Sequence, residues 1–240
     1  MKLMTHIVVG YPTLRESERI ASVLARNSEI VELQIPFSDP SADGPTIATA
    51  NEISRKNGIT AKKCLEFAGK ISRKFPQTEF LLMTYFNPVL QFGIEKFVKK
   101  AKSLGIRGFI VPDLPIEEST EFLAACKKNK LNFIFVVAPN STKVRLRKIT
   151  AKASSFIYCA ARLGVTGQQT SFDSRLKKFL TRVKKFTQLP LAVGFGVNNR
   201  KDIMAIKKSG GEIAVIGSAI IGAYKIGGIK AVEQFMKNLH

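Results

Sequence analysis

Ile30-Val31-Glu32-Leu33-Gln34-Ile35 runs straight into Pro36-Phe37-Ser38-Asp39-Pro40-Ser41-Ala42-Asp43-Gly44-Pro45. A short stretch dominated by β-branched and apolar side chains, closed by a loop bounded by proline and glycine, predicts a buried strand that ends at that loop. Successive side chains of a strand point to opposite faces, so Val31, Leu33 and Ile35 share one face and Glu32 and Gln34 the other. An acid on the polar face of such a strand needs a reason to be there, because glutamate is seldom buried without one.

Similar runs recur outward in both directions: His6 to Val9, Glu79 to Thr84, Gly108 to Val111, Asn132 to Val137, Phe156 to Ala160, Leu189 to Val193 and Ile213 to Ile216. Between them lie stretches of helical periodicity, such as Ile116 to Asn129 and Ser174 to Thr187, where Leu176, Phe179, Leu180 and Val183 form one stripe. Helix punctuation agrees with this division: Thr13 and Glu16 have capping-box spacing, and Gly58, Gly105 and Gly210 close helical stretches. A length of 240 residues permits one large domain or two small ones. The β-then-α alternation continues unbroken to a last helix expected over Gly228 to Leu239, which predicts a single-domain α/β fold, a (β/α)₈ TIM barrel spanning residues 1–240, in preference to an open doubly wound sheet.

Composition removes several classes of function. No run approaches the roughly 18 uncharged apolar residues of a membrane span, and Met1-Lys2-Leu3-Met4-Thr5 has no apolar signal region, so a cytoplasmic protein without membrane contact is expected. Cys64, Cys126 and Cys159 are far apart and His6 and His240 are the only histidines, which leaves no metal site and gives any acid–base work to carboxylates. The formal charge of +20 raises the question of a polyanionic partner. The lysines, however, fall in doublets on outer helix faces (Lys62-Lys63, Lys99-Lys100, Lys127-Lys128, Lys177-Lys178, Lys184-Lys185, Lys207-Lys208), as expected of a solvated surface and not of a nucleic-acid site.

In a parallel barrel the chemistry sits just after the strands, so the loops that follow each run hold the candidates. If the apolar face of Ile30 to Ile35 packs on the helices, Glu32 points into the lumen, where loss of hydration should raise its pKa toward a useful proton donor or base unless a lumenal lysine or arginine pairs with it. Asp43 lies in the loop beyond, where a turn or cap aspartate is the plainer reading. Gly164-Val165-Thr166-Gly167, Gly194-Phe195-Gly196 and Gly217-Ser218 follow the last three strands, and three successive glycine loops there point to a phosphorylated small molecule held by backbone N–H groups.

The run from Glu32 to Ile47 closely resembles the signature of the tryptophan synthase alpha subunit family. The resemblance covers nearly the whole chain: Gly10-Tyr11-Pro12, Met83 to Pro88 and Val111 to Pro115 are similar to that family's early strand ends. Tyr158 with Arg162 and the Gly164 to Gly167 stretch resemble its sixth strand and lid, and Gly194 to Gly196 with Ile216 to Ala219 its phosphate grip. The resemblance implies a lyase of tryptophan biosynthesis that cleaves indole-3-glycerol phosphate to indole and glyceraldehyde 3-phosphate. It implies catalytic roles for Glu32 and Asp43, substrate contacts from Tyr158, Thr166 and Phe195, and phosphate contacts from Gly167, Gly194, Gly196, Gly217 and Ser218. It further implies a beta-subunit partner in an α₂β₂ heterotetramer, contacted by Pro36 and Asp39; pyridoxal phosphate belongs to that partner, so this chain should need no cofactor.

Three features depart from the family. Gln34 stands where the family has glycine, on the face that carries Glu32, and is expected to crowd the pocket. Ala161 and Leu163 replace serines near the lid, and Met1 to Thr5 leave little room for a helix before the first strand. Gln34 favours an alternative in which the chain turns over poorly and mainly activates its beta partner; Glu32, Asp43 and the glycine loops favour catalysis.

Overall fold

A computed structural model describes residues 1–161, 174–194 and 196–239. Its strands are β1 (Lys2–Val8), β2 (Ile30–Gln34), β3 (Glu79–Met83), β4 (Gly108–Ile110), β5 (Asn132–Ile134), β6 (Val136–Val137), β7 (Ile157–Ala160), β8 (Leu191–Gly194) and β9 (Ile213–Ile216). The sheet order is β5-β4-β3-β2-β1-β9-β8-β7-β6, with every pairing parallel. β5 and β6 are the two halves of the expected run Asn132 to Val137, interrupted at Phe135. The first half pairs with β4 and the second with β7, so this one run closes the barrel. The Phe135 carbonyl bridges the break by accepting from the Tyr158 N–H at 3.0 Å.

The helices are α1 (Leu14–Asn27), α2 (Pro45–Lys56), α3 (Ala61–Lys74), α4 (Phe86–Phe92), α5 (Ile94–Ser103), α6 (Thr120–Lys128), α7 (Lys143–Lys152), α8 (Ser174–Lys184), α9 (Arg200–Lys208) and α10 (Ser218–Lys237). The last helix is longer than its sequence predicts. It starts directly after β9 and bends at Gly227 and Gly228, whose backbone leaves the helical region. The first strand also begins earlier than expected: Lys2 to Thr5 pair with Ile213 to Ile216, so these residues are barrel wall. Thr13 caps α1 as its spacing predicts, accepting from the Glu16 N–H at 3.2 Å, but the Glu16 carboxylate binds Arg19 and the Tyr224 hydroxyl, both at 3.0 Å, and so ties α1 to α10. The reciprocal capping box forms instead at Asn199 and Asp202.

Alternation along β2 separates two packing layers. Val31, Leu33 and Ile35 join the large apolar shell between barrel and helices. Phe97, Phe109, Phe122, Phe133 and Phe135 form an unbroken chain of ring contacts in that shell, with centroids 4.6 to 5.5 Å apart. Ile30 belongs to a separate lumenal cluster with Met4, Leu81, Ile110, Ile134, Phe156 and Ile213. That cluster fills the lower barrel, so space for a ligand remains only toward the strand C-termini. The lysine doublets lie on exposed helix faces as expected, apart from Lys184, which is half-buried against Glu212 at 2.8 Å.

Candidate active site

Strand register builds the site from the first two strands. His6 of β1 stands opposite Glu32 of β2, which stands opposite Leu81 of β3. His6 and Glu32 are both buried, with His6 Nδ1 3.3 Å from Glu32 Oε2. Glu32 therefore does face the lumen, but its partner is an imidazole and not a lysine or arginine. The sequence reading missed His6 as a site residue; the available signal was its place on the Met4, His6, Val8 face of a strand beside the one carrying Glu32. Burial opposes protonation of His6, and the adjacent Glu32 carboxylate, helped by Asp43 and Gln34, outweighs it and raises the imidazole pKa.

Asp43 is held by two donors: Gln34 Nε2 at 2.6 Å and the Tyr85 hydroxyl at 3.0 Å. The Tyr85 hydroxyl also accepts from the Ala42 N–H at 3.0 Å, and its ring stacks on Phe37 at 5.1 Å. The loop from Pro36 to Gly44 is thus folded down over the barrel mouth, and Pro45 begins α2 at a position where a missing N–H costs nothing. Burial raises the Asp43 pKa, while His6, Gln34 and Tyr85 pull it back. Gln34 is fully buried, and its side chain is turned onto Asp43 without lining the open cavity, so the expected obstruction does not arise.

A cavity partly open to solvent, enclosing about 700 Å³ when its open mouth is counted in, brings the candidates together. His6, Glu32, Asp43, Tyr158, Gly196, Gly217 and Ser218 line it, alongside the apolar Met83, Ile110, Val136 and Val215. One wall suits a flat apolar ring, and the rim suits an anion. Gly196 has a φ of +92°, which a residue with a Cβ adopts only under strain. Gly217 and Ser218 begin α10, whose first N–H groups and positive dipole end face the mouth. Gly194 is not among the lining residues; it is closed off by the Tyr158 hydroxyl, which a Cβ at 194 would overlap. Thr166, Gly167, Leu163 and Phe195 lie outside the described residues. Asp39 is exposed on the loop, whereas Pro36 is buried beneath it. Among the described residues no group of three or more histidine, cysteine, aspartate or glutamate side chains is placed to hold a metal ion.

A closed parallel barrel with one buried and one half-buried carboxylate toward the carboxyl ends of its strands, beside an apolar wall and a glycine-lined rim, defines a TIM-barrel enzyme of the acid–base type. Comparison with known proteins narrows this class. The family model described as "Tryptophan synthase alpha chain" matches residues 1–238. The tryptophan synthase alpha chain of Syntrophotalea carbinolica is 45% identical over 238 residues, covering 99% of this chain and 93% of that one. That of Aquifex aeolicus is 39% identical over 233 residues, 96% and 87% of the two chains. Among solved structures, Mycobacterium tuberculosis tryptophan synthase superposes with a TM-score of 0.93 at 31% identity, covering 99% of this chain and 90% of that one. The Pyrococcus furiosus tryptophan synthase α₂β₂ complex gives 0.91 at 30% identity, with 99% and 96% covered. The chain belongs to the tryptophan synthase alpha chain family.

Proposed function

We propose that this chain cleaves indole-3-glycerol phosphate to indole and glyceraldehyde 3-phosphate by a retro-aldol reaction, as the alpha component of an α₂β₂ tryptophan synthase in the cytoplasm. The single observation that carries the reading is that Glu32 and Asp43 share one cavity with Gly196, Gly217 and Ser218. Indole leaves as a carbon base only once its C3 is protonated, and the glycerol hydroxyl must lose a proton as the carbon–carbon bond breaks. Glu32 is placed to serve both transfers. Protonation at C3 makes the indole nitrogen electron-poor, and an ionised Asp43 offsets that charge.

In this reading Tyr158 and the apolar wall hold the indole, while Gly196, Gly217 and Ser218 present N–H groups to the phosphate. Gly194 supports that rim by leaving room for Tyr158. Thr166, Gly167 and Phe195 complete the binding set by resemblance alone. Asp39 displays the beta-facing loop, Pro36 shapes it from beneath, and residues 1–240 act as one domain. No described helix is long and apolar enough to cross a membrane. The position of Gln34, hydrogen-bonded to Asp43, favours catalysis over the alternative of a chain that only activates its partner. Indole release from indole-3-glycerol phosphate, measured alone and with a beta subunit, tests the proposal: release in either setting supports it, and none in both refutes it.

A further inference from the structure

The two carboxylates of the site are joined by two side chains that have no assigned role. Glu32 Oε2 lies 3.3 Å from His6 Nδ1, and Gln34 Nε2 lies 2.6 Å from Asp43 Oδ2. His6 and Gln34 lie on the same faces of the paired strands β1 and β2, and His6 Nε2 and Gln34 Oε1 are both buried without a hydrogen-bond partner, one a donor when protonated and the other an acceptor. Gln34 already favours the protonated imidazole. Orphaned buried polar atoms are uncommon, and two of complementary type inside one site call for an explanation.

We infer that His6 is a positioning residue that acts through Glu32, and that Gln34 couples it to Asp43, so that Glu32, His6, Gln34 and Asp43 work as one proton-handling chain. The inference rests on the reaction proposed above. At rest the His6–Glu32 pair holds one proton, on His6 Nδ1 and shared toward Glu32 Oε2. That proton passes to Glu32 as Glu32 protonates indole C3, leaving a neutral imidazole beside a carboxylate. The same carboxylate then takes the proton of the glycerol hydroxyl as the carbon–carbon bond breaks, and the pair regains its starting proton. A single carboxyl thereby acts as acid and then as base without drawing on solvent. The charged groups facing His6 are Glu32 from β2 and Asp43 from the following loop; β9 presents the apolar Val215, Gly217 at the start of α10 packs against the imidazole, and Tyr158 of β7 stands across the lumen near both carboxylates.

The test compares wild type with His6→Gln, Glu32→Gln and Gln34→Ala, using indole release across pH, calorimetric binding of glycerol phosphate, and titration of the imidazole by NMR. With only two histidines in the chain, His6 is readily assigned. His6→Gln is expected to lower kcat by about 100-fold or more, the scale of a lost proton-transfer partner. It should leave glycerol phosphate affinity within about threefold and remove the alkaline limb of the kcat profile, since catalysis is lost as the pair deprotonates. In wild type His6 should titrate above about 6.5, and that value should fall in both Glu32→Gln and Gln34→Ala. A His6→Gln enzyme with wild-type kcat and pH profile, beside an inactive Glu32→Gln, overturns the inference and leaves the reaction standing. An active Glu32→Gln overturns the reaction itself and the inference with it. If His6→Gln does not fold, the NMR titration decides: an imidazole that titrates at or below 6.5 and ignores Glu32→Gln is incompatible with the chain.

Discussion

Gly194→Ala separates two uses of a glycine that sequence alone cannot distinguish. The residue ends β8 beside a loop that resembles a phosphate grip, yet the added methyl would meet the Tyr158 hydroxyl and ring instead of the open cavity. The hydroxyl is too close to tolerate it, and the ring carbons stand at 2.8 and 3.0 Å. Tyr158 is packed against the lumenal cluster, so it must shift or the barrel must spread. Overpacking of this kind costs about 1 to 3 kcal/mol. For a chain of this size each kcal/mol lowers Tm by roughly 2 to 4 °C, which gives a fall of about 2 to 12 °C. Calorimetric melting measures that fall, and adding Tyr158→Ala should restore part of it by clearing the space. Phosphate affinity, read from glycerol phosphate binding, should change by less than about threefold, because no anion contact is removed. A variant that melts like wild type and binds phosphate tenfold more weakly would refute the packing argument and return Gly194 to the anion site.

Asp43→Asn should lower kcat by about 10² to 10⁴-fold, and in wild type activity should fall at acid pH as Asp43 is protonated, at a pH above the ordinary carboxylate value because burial raises its pKa. Indole release across pH measures both. Gly196→Glu places a carboxylate in the anion's space on a strained backbone, so KM should rise far more than kcat changes in a steady-state comparison. The thiols of Cys64, Cys126 and Cys159 should resist a thiol reagent at pH 8 until the protein is unfolded, because burial pushes all three up, Cys126 to about 12. Rapid labelling of the folded protein would count against the packing of α3, α6 and β7.

The barrel was legible because β-branched runs and helical stripes alternate with a regularity that nothing else in the chain competes with. Ile213 to Ile216 was placed to the residue, while the run through Phe135 gave no hint that it divides between two neighbours. From sequence the first strand starts at His6, and only the pairing of Lys2 to Thr5 with β9 extends it to Lys2. Glu32 was found because an acid is conspicuous in an apolar strand. His6 was not, since a lone histidine in such a run reads as core until register sets it opposite the acid. Gln34 reads as an obstruction because sequence sets its face but not its rotamer, and its amide turns to Asp43. Tyr85 was passed over for the same reason: its hydroxyl reaches Asp43 and Ala42 across 42 and 43 residues of sequence, and no local pattern records that.

The central claim is that Glu32 moves the proton that releases indole, and the direct measurement is single-turnover indole formation from indole-3-glycerol phosphate by Glu32→Gln beside wild type. The substitution is nearly isosteric and keeps an acceptor for His6. Glycerol phosphate binding is expected within about threefold of wild type and indole formation slower by about 10⁴-fold, the upper end for a positioned acid–base group. Indole formation near the wild-type rate in a folded, phosphate-binding Glu32→Gln protein would contradict it.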